Sequence, residues 1–117
     1  MAVRRIVPNL VCDDPQALGA FYVALLGVDL VMDHGWIASV QASEPGPVQL
    51  SLAREGGSGA PVPLLSIEVD DLAASHAAAL RLKAPVVYGP ADEPWGVRRF
   101  FLRDPAGNLI NILSHPD

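Results

Sequence analysis

The side chains that could do chemistry in this sequence are few and scattered. His34, His76 and His115 are so far apart that no spacing sets two of them on one strand face or one helix turn, as an imidazole metal site would need. Cys12 is the only cysteine, so no internal disulfide forms, and its reading is a small buried hydrophobe in a reducing compartment. Neither a Ser-His-Asp order with supporting context, nor a glycine-rich phosphate loop, nor a CxxC pair is present. Acid/base chemistry remains. Glu68 is the best candidate base, because a carboxylate in an apolar cavity has its pKa raised toward neutrality, with Tyr22, Tyr88 and His34 behind it. Trp36 and Trp95 could stack on a planar ligand, or simply fill a core or an interface.

The elements that must position these groups can be read from the pattern. Arg4 to Cys12 is a strand, and Asp13-Asp14-Pro15 starts a helix, with Asp14 as cap and Pro15 at the first helical position. Leu18, Phe21, Tyr22 and Leu25 mark its apolar face, and Gly27 ends it. Strands at Val28 to Met32 and Trp36 to Gln41 flank the turn Asp33-His34-Gly35. A second turn, Glu44-Pro45-Gly46-Pro47, leads to a strand from Val48 to Ala53.

After the connector REGGSGAPVP at 54–63 the order returns. A strand spans Leu64 to Val69, Asp70-Asp71 cap a helix running to about Lys83, and strands follow at Val86 to Tyr88, Trp95 to Arg103 and Leu109 to Leu113. Asp14 and Asp71 stand 57 residues apart at equivalent strand-to-helix junctions, the mark of one unit used twice. The expected fold is therefore α+β, one domain made of two tandem βαβββ units at 1–53 and 64–117.

Two stretches, VPNLVCDDPQALGAFYVALLG at 7–27 and WGVRRFFLRDPAGNLINIL at 95–113, resemble the vicinal oxygen chelate superfamily of glyoxalases, extradiol dioxygenases and bleomycin-resistance proteins. The resemblance covers essentially the whole chain and implies a curved mixed sheet with a concave pocket and helices on the outer face. In that family a divalent metal is held by His, Gln or Glu at the start of each unit's first strand and on its last strand. Counting from the capping Asp and the Asp104 to Asn108 hairpin, these positions fall at Val7, Leu64 and Asn111. Valine and leucine cannot coordinate, and Asn111 offers a neutral amide oxygen, so the resemblance here implies the fold without the metal or any other cofactor.

Strand alternation then gives the pocket lining. Val7, Asn9 and Val11 share one face of the first strand; Leu64, Ser66 and Glu68 share the cavity face of the later one, with Leu65, Ile67 and Val69 under the helix. Asn111 faces in on the last strand, and Trp95, Arg99 and Phe101 are placed toward the cavity, with Phe100 and Leu102 toward the helix. Candidate ligand-binding residues are thus Asn9, Trp36, Leu64, Ser66, Glu68, Trp95, Arg99, Phe101 and Asn111, with no catalytic residue assigned.

The leading expectation is metal-independent sequestration of a small aromatic or amphipathic molecule, as in antibiotic-resistance-type binding proteins. The rival is an enzyme of the lyase, isomerase or dioxygenase type with a displaced metal site or metal-free acid/base chemistry, and a third reading is a structural dimer with a filled pocket. Half of the residues are apolar and 18% charged, a surplus that suits a homodimer interface as well as a ligand cavity. The net charge of −5, spread over both halves, argues against nucleic acid. The longest apolar run, Leu18 to Val28, is short of the roughly 20 residues a membrane span needs. The start lacks a secretory pattern, so the expected compartment is the cytoplasm.

Overall fold

The computed structural model describes residues 1–42 and 48–116, and the turn expected at 44–47 lies outside them. The chain forms β1 (Val3–Val11), α1 (Pro15–Leu26), β2 (Asp29–Asp33), β3 (Ile37–Ala42), β4 (Val48–Ala53), β5 (Leu65–Val69), α2 (Leu72–Arg81), β6 (Val86–Asp92), β7 (Arg98–Arg103) and β8 (Leu109–Ser114). This is βαβββ twice, an α+β fold, as the repeat predicts. No helix of the described residues is long and apolar enough to cross a membrane.

Contacts divide the chain into two compact units, Val7–Val62 and Pro63–Asp117 together with Met1–Ile6. The boundary differs from the sequence expectation, since the first half of β1 goes with the later unit. Asp70 explains part of this: its Oδ1 accepts the Ala2 N–H at 2.7 Å, and its own N–H donates to the Ala2 carbonyl at 3.1 Å.

In the Val7–Val62 unit the strand order is β2-β3-β4-β1, antiparallel except for the parallel β4–β1 pair. Asp14 caps α1 by accepting the Ala17 N–H at 3.1 Å, and Gly27 closes it at φ 70°. The inward stripe of α1 differs from the expected one. Pro15 and Gly19 are buried, whereas Phe21 and Leu25 are exposed at 55% and 60%. Gly19 faces the sheet, where a Cβ would make ordinary van der Waals contact with Leu30 Cδ1 at 3.7 Å and Val40 Cγ1 at 4.0 Å.

The later unit has the order β6-β7-β8-β5, with β8–β5 parallel and the rest antiparallel. Its core is Val69, Leu72, Ala79, Phe100, Ile110 and Ile112, where α2 covers one face of the sheet. Asp71 caps α2 through the Ala74 N–H at 3.0 Å. His76 of α2 meets the Phe100 ring edge-on at 5.1 Å. Each fully buried aromatic or aliphatic side chain in this core is worth about 1.5–3 kcal/mol.

Residues 54–63 are a folded loop, not the loose connector their composition suggests. Gly56, Gly57 and Ala60 are buried, and Gly56 N–H donates to the Ala60 carbonyl at 2.7 Å. A Cβ on Gly56 would land on the Pro61 carbonyl, whereas one on Gly27 would meet nothing within 4 Å. Gly56→Ala is therefore expected to destabilise by about 3 kcal/mol, against about 1–2 kcal/mol for Gly27→Ala, whose cost is conformational alone. Chemical denaturation of the two variants checks the order.

Candidate functional site

The sheet face opposite α2 in the later unit carries the polar and aromatic groups. Register sets them in rows. Tyr88 pairs with Phe101, Phe101 with Asn111, and Asn111 with Ser66; in the next row Ala91 pairs with Arg99, Arg99 with Leu113, and Leu113 with Glu68. Phe100, Ile110 and Ile112 alternate to the α2 side, as period two requires.

Arg99 is the charged centre of this face. Its guanidinium carbon lies 4.7 Å from the Phe101 ring centroid, 4.9 Å from Trp95 and 5.2 Å from Tyr88. An Nη of Arg99 stands 3.6 Å from Glu93 Oε2, with 4% and 2% of the two side chains exposed. The Tyr88 hydroxyl donates to the other oxygen of Glu93. The guanidinium is thus neutralised by a carboxylate and held among three rings, where cation–π attraction is strongest because water is excluded.

The Trp95 indole reaches Arg99 from a turn, not from the start of the expected strand. Glu93-Pro94-Trp95-Gly96 is closed by the Gly96 N–H donating to the Glu93 carbonyl at 3.1 Å, and β7 begins only at Arg98. Pro94, with its fixed φ, belongs at the second position of such a turn. That signal was in the sequence, and so was the acidic pair Asp92-Glu93, from which the candidate residues omitted Glu93.

Asn111 is buried at 6% exposure. Its Nδ2 donates to Ser66 Oγ at 3.1 Å, while Oδ1 has no hydrogen-bond partner among the described residues. An unmet buried carbonyl costs about 1–3 kcal/mol, so it marks a place where a donor is missing.

Glu68 sits two residues along β5 from Ser66, clamped by Arg5 Nε at 2.6 Å and His115 Nδ1 at 2.7 Å. Burial pushes its carboxyl up, but the His115 hydrogen bond and the Arg5 charge outweigh it and hold Glu68 below the ordinary value of 4.5. The expectation of a raised pKa is therefore corrected: a polar clamp replaces the apolar surroundings that alternation had suggested.

Of the remaining candidates, Leu64 lies outside the paired rows of β5, and Asn9 and Trp36 lie in the other unit. Leu64 precedes β5, is 52% exposed, and donates its N–H to the Leu109 carbonyl. Asn9 and Trp36 belong to the Val7–Val62 unit. There Asn9 pairs with Ser51 across β1–β4, beside a buried Ser39–Ser51 hydroxyl contact of 2.7 Å. Trp36 stacks on His34 at 6.4 Å, in a turn where the Gly35 N–H and the Gln16 amide hold the Asp33 carboxyl below its usual range.

The positions of the metal expected from the resemblance do not fit one. Val7 is a buried aliphatic, Leu64 a half-exposed one, and Asn111 supplies a neutral amide already engaged with Ser66. Among the described residues no three His, Cys, Asp or Glu side chains gather where they could hold one ion.

The family model described as a glyoxalase-like domain matches residues 5–113. Solved structures share the fold at low identity. A Legionella pneumophila protein solved as NAD-dependent benzaldehyde dehydrogenase has TM-score 0.75 and 16% identity over 96% of this chain and 100% of its own. A glyoxalase/bleomycin resistance protein/dioxygenase superfamily member from Vibrio splendidus 12B01 has 0.69 and 16%, over 98% and 100%. A variant of Streptomyces coelicolor methylmalonyl-CoA epimerase, in complex with 2-nitronate-propionyl-CoA, has 0.68 and 21%, over 99% and 100%. Such identities speak for the fold alone. No curated protein matches the sequence.

Two consequences of the charge clamps are measurable. Arg99→Leu leaves Glu93 buried without its cation and is expected to cost about 3–5 kcal/mol, while Arg99→Leu combined with Glu93→Leu costs less. Glu68, with its pKa lowered on folding, contributes stability that is present above pH 4.5 and lost as pH falls through the lower folded value. Glu68→Gln should therefore be less stable than wild type at pH 7 and lose less between pH 5 and pH 3, followed by thermal unfolding across that range.

Proposed function

Because the chain belongs to the glyoxalase-like domain family, we propose that it works as a metal-independent binder of a small aromatic or amphipathic molecule, sequestering it as antibiotic-resistance-type proteins do. The observation that carries the reading is Asn111. Its unmet Oδ1 lies next to the wholly buried Phe101 in register, on a face where the half-buried Tyr88 and Trp95 carry the accessible ring surface. A ligand offering an N–H or O–H donor on a flat apolar body satisfies the first and packs on the second.

The charges on this face favour a neutral ligand. Arg99 is matched by Glu93, and Glu68 by Arg5 and His115, so no unbalanced charge invites an anion. Sites of this composition fix orientation with a few polar groups and draw affinity from burial. A second copy of the chain is the partner proposed for the apolar surface of α1 and β2, where Phe21, Leu25, Leu30 and Val31 are exposed.

Chelator-treated protein screened by thermal shift and tryptophan quenching against neutral aromatic and amphipathic compounds is expected to yield a ligand. Asn111→Leu should weaken that ligand about tenfold, the equivalent of one hydrogen bond of about 1.4 kcal/mol. Binding that appears only on adding Fe, Mn, Ni or Zn would overturn the reading.

A further inference from the structure

Arg5 and His115 both contact the Glu68 carboxylate. Glu68 lies on the same face as Ser66, about 7 Å along β5 at ordinary strand rise. His115, just beyond β8, places Nδ1 2.7 Å from Glu68 Oε2, and Arg5 donates to Oε1 at 2.6 Å. With its pKa held below 4.5, Glu68 is ionised at neutral pH and can only accept. Neutral His115 must therefore carry its hydrogen on Nδ1, which leaves Nε2 as the nitrogen with the lone pair. The His115 side chain is 48% exposed, so that nitrogen is within reach of a small molecule.

We infer that this face also performs proton transfer, with His115 Nε2 as the acid/base group and Glu68 and Arg5 as its positioning residues. The inference rests on the binding site proposed above, because the ligand seated at Ser66 and Asn111 supplies the proton. The fitting ligand class is a carbon or oxygen acid, such as a carbonyl compound with an acidic α C–H or a phenol. Nε2 takes the proton, the electron pair stays on the ligand's carbon or oxygen, and the imidazolium is stabilised by the Glu68 carboxylate. The proton then returns to the ligand or passes to water, so no oxidant, reductant or metal enters the balance.

The pair can be tested without knowing the ligand. p-Nitrophenyl acetate reports the Nε2 lone pair: Nε2 attacks the acetyl carbon, p-nitrophenolate leaves with the C–O electron pair, and water hydrolyses the acetylimidazole to acetate. His115→Ala is expected to lose at least about tenfold of the protein-dependent rate, and Glu68→Gln about tenfold in kcat with KM unchanged, since the carboxylate orients the imidazole and stabilises the charge that develops on it. His34→Ala serves as the control and keeps the wild-type rate. Carbethoxylation with diethyl pyrocarbonate, mapped by mass spectrometry, should reach His115 before His34 or His76 and slow at His115 in Glu68→Gln. An unchanged ester rate in His115→Ala, or earlier labelling of His34 and His76, overturns the inference. Loss of the ester rate in His115→Ala, with no ligand found in the binding screen, leaves the pair standing and fails the binding site instead.

Discussion

Everything on the candidate face depends on the period-two alternation of β7 and β8. Phe100, Ile110 and Ile112 go under α2, and Arg99, Phe101 and Asn111 go to the other side. A slip of one residue in either strand would drive a guanidinium and an amide into the α2 core and expose Phe100, which is wholly buried. Burying those core side chains, at about 1.5–3 kcal/mol each, outweighs the cost of leaving Asn111 Oδ1 unmet. The core therefore fixes the register, and the register fixes the site.

On the sheet face away from α2 the electrostatics are settled internally. Arg99 and Glu93 are both almost fully buried, a placement that is tolerable only because they face each other, with the Tyr88 hydroxyl on the remaining oxygen. The same logic holds more loosely at Glu68, where the partners Arg5 and His115 are half exposed. This face carries ring surface, a buried amide carbonyl and an imidazole. The positions that the superfamily resemblance marks for metal donors hold Val7, Leu64 and Asn111 instead.

Much of the fold was legible because its signals are local. Asp14 and Asp71 cap their helices, Gly27 terminates α1, and β4 runs over Val48–Ala53 as the alternation predicts. Alternation alone also sorted Arg99 and Phe101 from Phe100 and Leu102. What could not be read depends on approach between distant segments. α1 turns Pro15 and Gly19 to the sheet and leaves Phe21 and Leu25 outside; Ala2 ties to Asp70 across the chain; and Glu68 finds Arg5 and His115, 63 and 47 residues away in sequence. Trp95 belongs to a different class, since Pro94 and Gly96 signalled a turn that the strand pattern overrode.

The central claim is that an organic ligand meets the Asn111 amide and the neighbouring rings with no metal present. Nitrogen-resolved NMR of chelator-treated protein reads it directly, through the Asn111 side-chain amide and the two tryptophan indoles. Titration with a bound compound should shift the Asn111 amide and the Trp95 indole. Shifts confined to Trp36, or an Asn111 amide that moves only after a divalent metal is added, would contradict the account.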